Sequence, residues 1–175
     1  MAIIIVDGID CSGKTTLTQY LLKNLPKSLY LKSGMNGNNI KNRIEMFDYY
    51  FDLINLLRVY SKNYNIIVDR CYMSEFSYDF KRKKNNKGLK DYKYSNFQEF
   101  EKLLKNLNTK YIYCFTSLKE IEKKLKEKND DYCNLKDIKT LIKNFDNFNK
   151  KTILNMKTYS YLKNKREDVL KWILL

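Results

Sequence analysis

Residues Gly8 to Thr15 read GIDCSGKT, a complete glycine loop of the form GxxxxGK[ST]. Its backbone N–H groups, backed by a helix N-terminus, form a cradle for nucleotide phosphates. Lys14 is placed to reach the β- and γ-phosphates, and the Thr15 hydroxyl can bind Mg²⁺. The flanks supply the context that this mechanism needs. Ala2 to Val6 reads AIIIV, a short buried strand, and after the loop Leu17, Leu21, Leu22 and Leu25 recur at helical spacing before Pro26. Gly8, Ile9, Asp10, Cys11, Ser12, Gly13, Lys14, Thr15 and Thr16 are therefore the candidate ATP-binding residues.

Composition bounds the remaining possibilities. The 175 residues suggest one domain, 1–175, with a core large enough to fold alone. No apolar run approaches the roughly 20 residues of a membrane span, and the apolar N-terminus meets Asp7 too soon for a signal peptide. Cys11, Cys71, Cys114 and Cys133 form no CxxC pair, and histidine is absent. Reduced thiols in an intracellular, cytoplasmic protein account for them more simply than zinc. The net charge of +14 invites a nucleic-acid reading. Only Arg43, Arg58, Arg70, Arg82 and Arg166 are arginine, however, and the lysines are interleaved with Glu and Asp along helical faces. The abundance of Lys, Asn, Ile and Tyr, all with AT-rich codons, makes a solvated basic surface the favoured reading over nucleic acid as main partner.

Strand patterns occur at Ala2 to Val6, Ser28 to Lys32, Asn65 to Asp69, Lys110 to Phe115 and, more weakly, Thr152 to Met156. Helical patterns lie between them, at Lys14 to Leu25, Asn39 to Ser61, Met73 to Lys83, Asn96 to Leu107, Leu118 to Lys128, Leu135 to Asn149 and Tyr159 to Ile173. This alternation predicts an α/β fold with about five parallel strands and helices on both faces. Right-handed crossovers bring Asp7 to Thr15, Asp69, Arg70 and the residues after Phe115 to the carboxyl edge of the sheet. The polar stretch Lys81 to Tyr94 reads as an exposed loop.

A second constellation follows the third strand, in NIIVDRCYMSEFSYD from Asn65 to Asp79. Asp69 at the strand end is placed to order Mg²⁺ or its waters. Arg70 has the planar fork for bidentate phosphate contact.

With these residues the sequence resembles the thymidylate kinases, a family with a three-layer P-loop kinase fold. Asp7, Gly8, Asp10 and Gly13 to Leu17 are similar to its EGxDxxGKTTL signature, with Asp7 in place of Glu. Asp69, Arg70, Ser74 and Tyr78 match its DRxxxSxxxY pattern at the same spacing. The resemblance implies MgATP as phosphoryl donor, a nucleotide as acceptor and a homodimer. It implies that Asp10 faces the acceptor sugar, that Arg70 bridges the acceptor phosphate and the transferred group, and that Ser74 and Tyr78 line the acceptor pocket. Thr15 and Asp69 would hold Mg²⁺ directly or through water. Arg43 or Arg58 would meet the acceptor phosphate, with Phe47 and Phe51 as candidates to stack on its base. The loop near Lys157 to Tyr159 would lie beside the ATP base. A short lid is expected near 124–136, where Lys124, Lys126 and Lys128 occupy positions of the family's basic lid residues. Of these, Lys124 and Lys128 join Lys14, Asp69 and Arg70 as catalytic candidates.

The sequence departs from the family at two places. Its REPGG-like segment is replaced by KSGMNGNN, Lys32 to Asn39, and its thymine-reading Gln by Asp79. A carboxylate accepts hydrogen bonds and suits a base edge that carries an amino group. Phosphoryl transfer to a (deoxy)nucleoside monophosphate is the leading expectation, within nucleotide biosynthesis. A deoxynucleoside kinase, a kinase of polynucleotide ends or modified DNA bases, and a catalytically degenerate nucleotide-binding protein are the alternatives.

Overall fold

The computed structural model describes residues 1–33, 43–84, 93–127 and 135–175. The chain begins with β1 (Ile3–Gly8), α1 (Lys14–Asn24) and β2 (Ser28–Lys32), followed by α2 (Arg43–Tyr60), β3 (Asn65–Asp69) and α3 (Tyr72–Lys84). A 3₁₀ turn at Tyr94–Asn96 leads into α4 (Gln98–Asn106), β4 (Lys110–Cys114) and α5 (Leu118–Glu127). The chain closes with α6 (Leu135–Asn149), β5 (Asn155–Tyr159) and α7 (Arg166–Leu174).

Among the described residues the strands form one five-stranded sheet in the order β2-β3-β1-β4-β5, every neighbouring pair parallel. The three inner strands are buried at every position, with helices covering the sheet on both faces. On one face Ile3, Ile5, Ile66, Val68 and Tyr111 pack against α2, α3, α4, α5 and α6. On the other, Ile4, Val6, Ile67 and Ile112 pack against Leu17 and Leu21 of α1 and Val169 and Ile173 of α7. The expected three-layer α/β architecture is thus observed. At helical spacing, Ile121 and Leu125 of α5, Phe100 and Leu104 of α4, and Ile138, Leu141, Phe145 and Phe148 of α6 are buried.

The fifth strand differs from expectation. It runs over Asn155–Tyr159 instead of Thr152 to Met156. A buried carboxylate, Glu101 on α4, takes the earlier residues out of the sheet. The Thr152 hydroxyl donates to Glu101 Oε1 at 2.5 Å and the Ile153 N–H to Oε2 at 2.8 Å. Tyr94 donates to the same carboxylate at 2.5 Å. Pairing with β4 starts only at Asn155, opposite Lys110. The last helix correspondingly begins at Arg166, not Tyr159, after a turn in which the Asn164 side chain accepts from the Ser160 N–H at 2.8 Å. Residues 157–159, expected beside the ATP base, therefore lie in β5, and the connecting loop is 160–165.

Candidate functional site

Three chain segments converge at the carboxyl ends of β1 and β3. The first is the phosphate loop. Gly8 ends β1 at φ +142°, and a Cβ there would lie 2.1 Å from the Cys114 carbonyl oxygen of β4. Cys11 and Gly13 are left-handed, with φ of 63° and 89°. These reversals turn the chain abruptly into α1, whose N-terminus has no side-chain cap. Its first N–H groups thus remain available for an anion.

Lys14 is only 7 % exposed. Its ammonium donates to the Gly8 and Ile9 carbonyls at 2.9 and 2.6 Å and lies 3.8 Å from Asp10. Burial, reinforced by the positive charge of Arg70, lowers its pKa to about 8. This gives a testable pH dependence. A bound phosphate favours the charged ammonium, so nucleotide affinity should weaken above about pH 8, approaching tenfold per pH unit. The unliganded fold behaves oppositely: between about 8 and the unfolded value of 10.5 the unfolded chain holds the proton more tightly, so stability rises with pH. Nucleotide titrations from pH 7 to 10 on wild type and Lys14→Met check this, because the variant should lack the Lys14 component of the slope.

The second segment is β3 and the start of α3. Arg70 sits at φ 68°. Its guanidinium is ion-paired with Asp10, donates to Ser74 Oγ at 3.0 Å and lies 5.5 Å from the Tyr78 ring centre. Burial opposes its charge, but Tyr78, Asp10 and Asp7 outweigh burial and hold it firmly protonated. Tyr78 also donates to Asp10 Oδ2 at 3.1 Å. Asp10, Arg70, Ser74 and Tyr78, separated by up to 68 positions, thus form one hydrogen-bonded cluster.

Asp7 has a part that its place in the motif did not reveal. Its carboxylate is fully buried and accepts from Gly8 N at 2.7 Å, Cys71 N at 3.1 Å, Ser74 N at 3.0 Å and Ser74 Oγ at 2.6 Å. It pins the phosphate loop to the first turn of α3. Burial pushes its carboxyl above the usual range, against the opposing charge of Arg70.

Asp69 is buried at the strand end, where it accepts from the Tyr30 hydroxyl at 2.7 Å. Burial and that carboxylate raise the Tyr30 pKa to about 12. Ser33 bonds across the same edge, its N–H to the Asp69 carbonyl at 3.1 Å and its hydroxyl to the Arg70 carbonyl.

The third segment is α5 with the loop after β5. Lys124 reaches the cleft and lies 4.0 Å from the centre of the Tyr161 ring. The resulting cavity of about 480 Å³ is lined by Asp10, Cys11, Gly13, Lys14, Thr15, Thr16, Lys32, Asp69, Arg70, Lys124 and Glu127. Lys32, Glu127, Tyr30 and Tyr161 were not singled out from sequence. Lys32 and Tyr30 sit on one face of β2 at alternate positions, a signal that becomes readable only once β2 is known to lie beside Asp69.

Other candidates lie elsewhere. Ile9 and Ser12 belong to the loop with their side chains buried, and Asp79 is 5 % exposed on α3 outside the cleft lining. Phe47 and Phe51 pack against Phe100, with ring centres 5.5 and 4.9 Å apart. Arg58 occupies the last turn of α2, close to the amino end of β3 and away from the carboxyl edge that carries the cleft. Arg43 opens α2, but its side chain lies outside what the structure describes. Lys126 is exposed, and Lys128, most of KSGMNGNN and much of the basic loop lie outside the described residues.

Solved structures share this architecture. The YorR protein of Bacillus subtilis, in complex with phosphorylated GDP, superposes with a TM-score of 0.78 at 21 % identity, over 99 % of this chain and 94 % of that one. Deoxyadenosine kinase from M. mycoides with bound dATP gives 0.59 at 16 % identity over 100 % of both chains. Thymidylate kinase from Candida albicans gives 0.59 at 15 % identity over 99 % of this chain and 89 % of that one. No protein-family model and no curated protein matches the sequence. The chain has a phosphate-loop kinase fold of the nucleoside-monophosphate-kinase-like kind.

Proposed function

We propose that this protein transfers the γ-phosphoryl group of ATP to the phosphate of a (deoxy)nucleoside monophosphate. One observation carries the reading: Lys14 in the phosphate loop and Arg70 after β3 line the same cavity, both within reach of Asp10 Oδ1. Two cations lining one cavity, from separate chain segments, suit a reaction in which two phosphate groups must be brought together. The N–H groups of the loop and Lys14 would hold the donor phosphates. Arg70, oriented by Asp10 and Ser74, would present its fork to the acceptor phosphate and the migrating group. Lys124 would add charge from α5 at the edge of the short lid proposed for 124–136. An acceptor phosphate is already anionic, so no side chain has to remove a proton.

The donor set fits Mg²⁺. Thr15 and Asp69 offer a hydroxyl and a carboxylate to one cavity, and hard oxygen donors completed by phosphate and water are what this ion takes. When bound there, it would neutralise phosphate charge, while Tyr30 keeps the Asp69 carboxylate turned toward β2.

The structural neighbours support a nucleoside or nucleotide acceptor. YorR was solved with phosphorylated GDP, and the other two are nucleotide or nucleoside kinases. The test is an ATP-consumption screen across dNMPs, NMPs, nucleosides and an oligonucleotide. Turnover with monophosphates is expected. Turnover of nucleosides alone, of oligonucleotide ends alone, or ATP binding without any turnover would overturn the reading.

A further inference from the structure

We infer that Tyr161 is a positioning residue that fixes the Lys124 ammonium over the phosphate loop; the inference rests on the proposed phosphoryl transfer. An exposed lysine has several rotatable bonds and about 2 kcal/mol of rotamer entropy to lose before it can serve as a fixed charge. Here one aromatic ring reduces that freedom. Lys124 Nζ lies 4.0 Å from the Tyr161 ring centre, well inside cation–π range. The ring is itself fixed from two sides. Its hydroxyl donates to Glu120 Oε1 at 3.0 Å, one helical turn before Lys124 on the same face of α5. Its edge rests on the phosphate loop, so closely that a Cβ on Gly13 would approach Tyr161 Cδ1 to 2.9 Å.

Tyr161 therefore joins three parts that the sequence separates: the loop after β5, helix α5 and the residue before Lys14. Each contact has a distinct consequence. The Gly13 contact references the ring to the phosphate cradle. The Glu120 bond sets its tilt relative to α5. The ring face then holds the cation at the mouth of the cavity that Lys14 and Arg70 also line. Lysine lacks the rigid fork of arginine, so an external brace supplies the preorganisation that the side chain does not.

Two measurements test this. In protein reductively ¹³C-methylated at lysine, the Lys124 signal, assigned by its loss in Lys124→Arg, should be shifted upfield by the ring. Tyr161→Leu should return it to the position of the other lysines and Tyr161→Phe should retain it. A Lys124 signal already among the others in the wild type overturns the inference. In steady-state kinetics with the best acceptor, Tyr161→Leu should lower kcat roughly tenfold, with little change in the KM for ATP. Tyr161→Phe should recover most of the loss, and Tyr161→Leu/Lys124→Ala should be no slower than Lys124→Ala alone. A raised KM for ATP with unchanged kcat, or additive losses, overturns the inference and makes Tyr161 a nucleotide contact. Should no acceptor be turned over, the proposed function falls on its own. ATP titration then decides the positioning: the Lys124 signal must move on binding in wild type and much less in Tyr161→Leu, and equal responses overturn it.

Discussion

Lys14→Met is expected to lower kcat/KM by about a thousandfold or more while leaving the fold intact. The argument starts from burial. Lys14 sits beneath the loop, 7 % exposed, with its stem packed and its ammonium held by two loop carbonyls. Methionine keeps most of that stem and removes the charge. Burial and Arg70 already disfavour the charge in the unliganded protein, so its loss should cost little folding stability. The transferred phosphoryl group is different, because charge there is spread over oxygens that only fixed cations can neutralise in a site shielded from water. Removing one preorganised partner typically costs about two to four kcal/mol of transition-state stabilisation, and the loss of a full charge lies at the upper end. Activity within tenfold of wild type, measured beside an unchanged melting temperature, would show that Lys14 does not have this role.

Gly8→Ala should have the largest effect on stability. The added Cβ would sit 2.1 Å from the Cys114 carbonyl oxygen and 3.0 Å from its carbon, both backbone atoms of the neighbouring strand. Gly8 and Cys114 are registered partners at the end of the β1–β4 pairing, in the centre of the sheet. Relief requires β4 to part from the central strand β1, and the φ of +142° adds strain that alanine does not tolerate. A loss of more than about 4 kcal/mol is expected, a large part of the 5–15 kcal/mol that holds a typical domain together. Gly13→Ala is a useful contrast. Its nearest neighbour is the edge of the Tyr161 ring, held by a side-chain hydrogen bond to Glu120 and not by the sheet, so displacing it costs less than parting two strands, and a milder loss, part of it from the φ of +89°, is expected. Urea unfolding of both variants checks the order, and equal losses would contradict the rigid-neighbour argument.

Much of the fold was legible because it is encoded locally. Ala2 to Val6 and Ile66 to Val68 are short apolar runs, and their brevity beside turn residues marks strands covered on both faces. Ile121 and Leu125 define α5 by their spacing alone. The strand at Thr152 to Met156 failed for a non-local reason. The alternation there was weak, and Glu101, 51 positions earlier in the sequence, competes for the Thr152 hydroxyl and shifts the start of β5 to Asn155. The site divides similarly. Lys14, Asp69 and Arg70 were readable because their motifs have fixed spacing. Arg58 could be placed only by knowing which end of α2 meets the cleft.

By itself the sequence determined the phosphate loop, the parallel α/β order, and the identity of the charges at the ends of β1 and β3. These follow from backbone geometry and hydrophobic period, which operate over a few residues. Only the tertiary structure decided how those charges are oriented: Asp7 as the pin between loop and α3, Tyr30 on Asp69, and Tyr161 bridging Gly13, Glu120 and Lys124. Each of these contacts joins residues that no local period relates. They exist because parallel crossovers bring distant strand ends to one edge, where buried carboxylates must find donors wherever the chain supplies them.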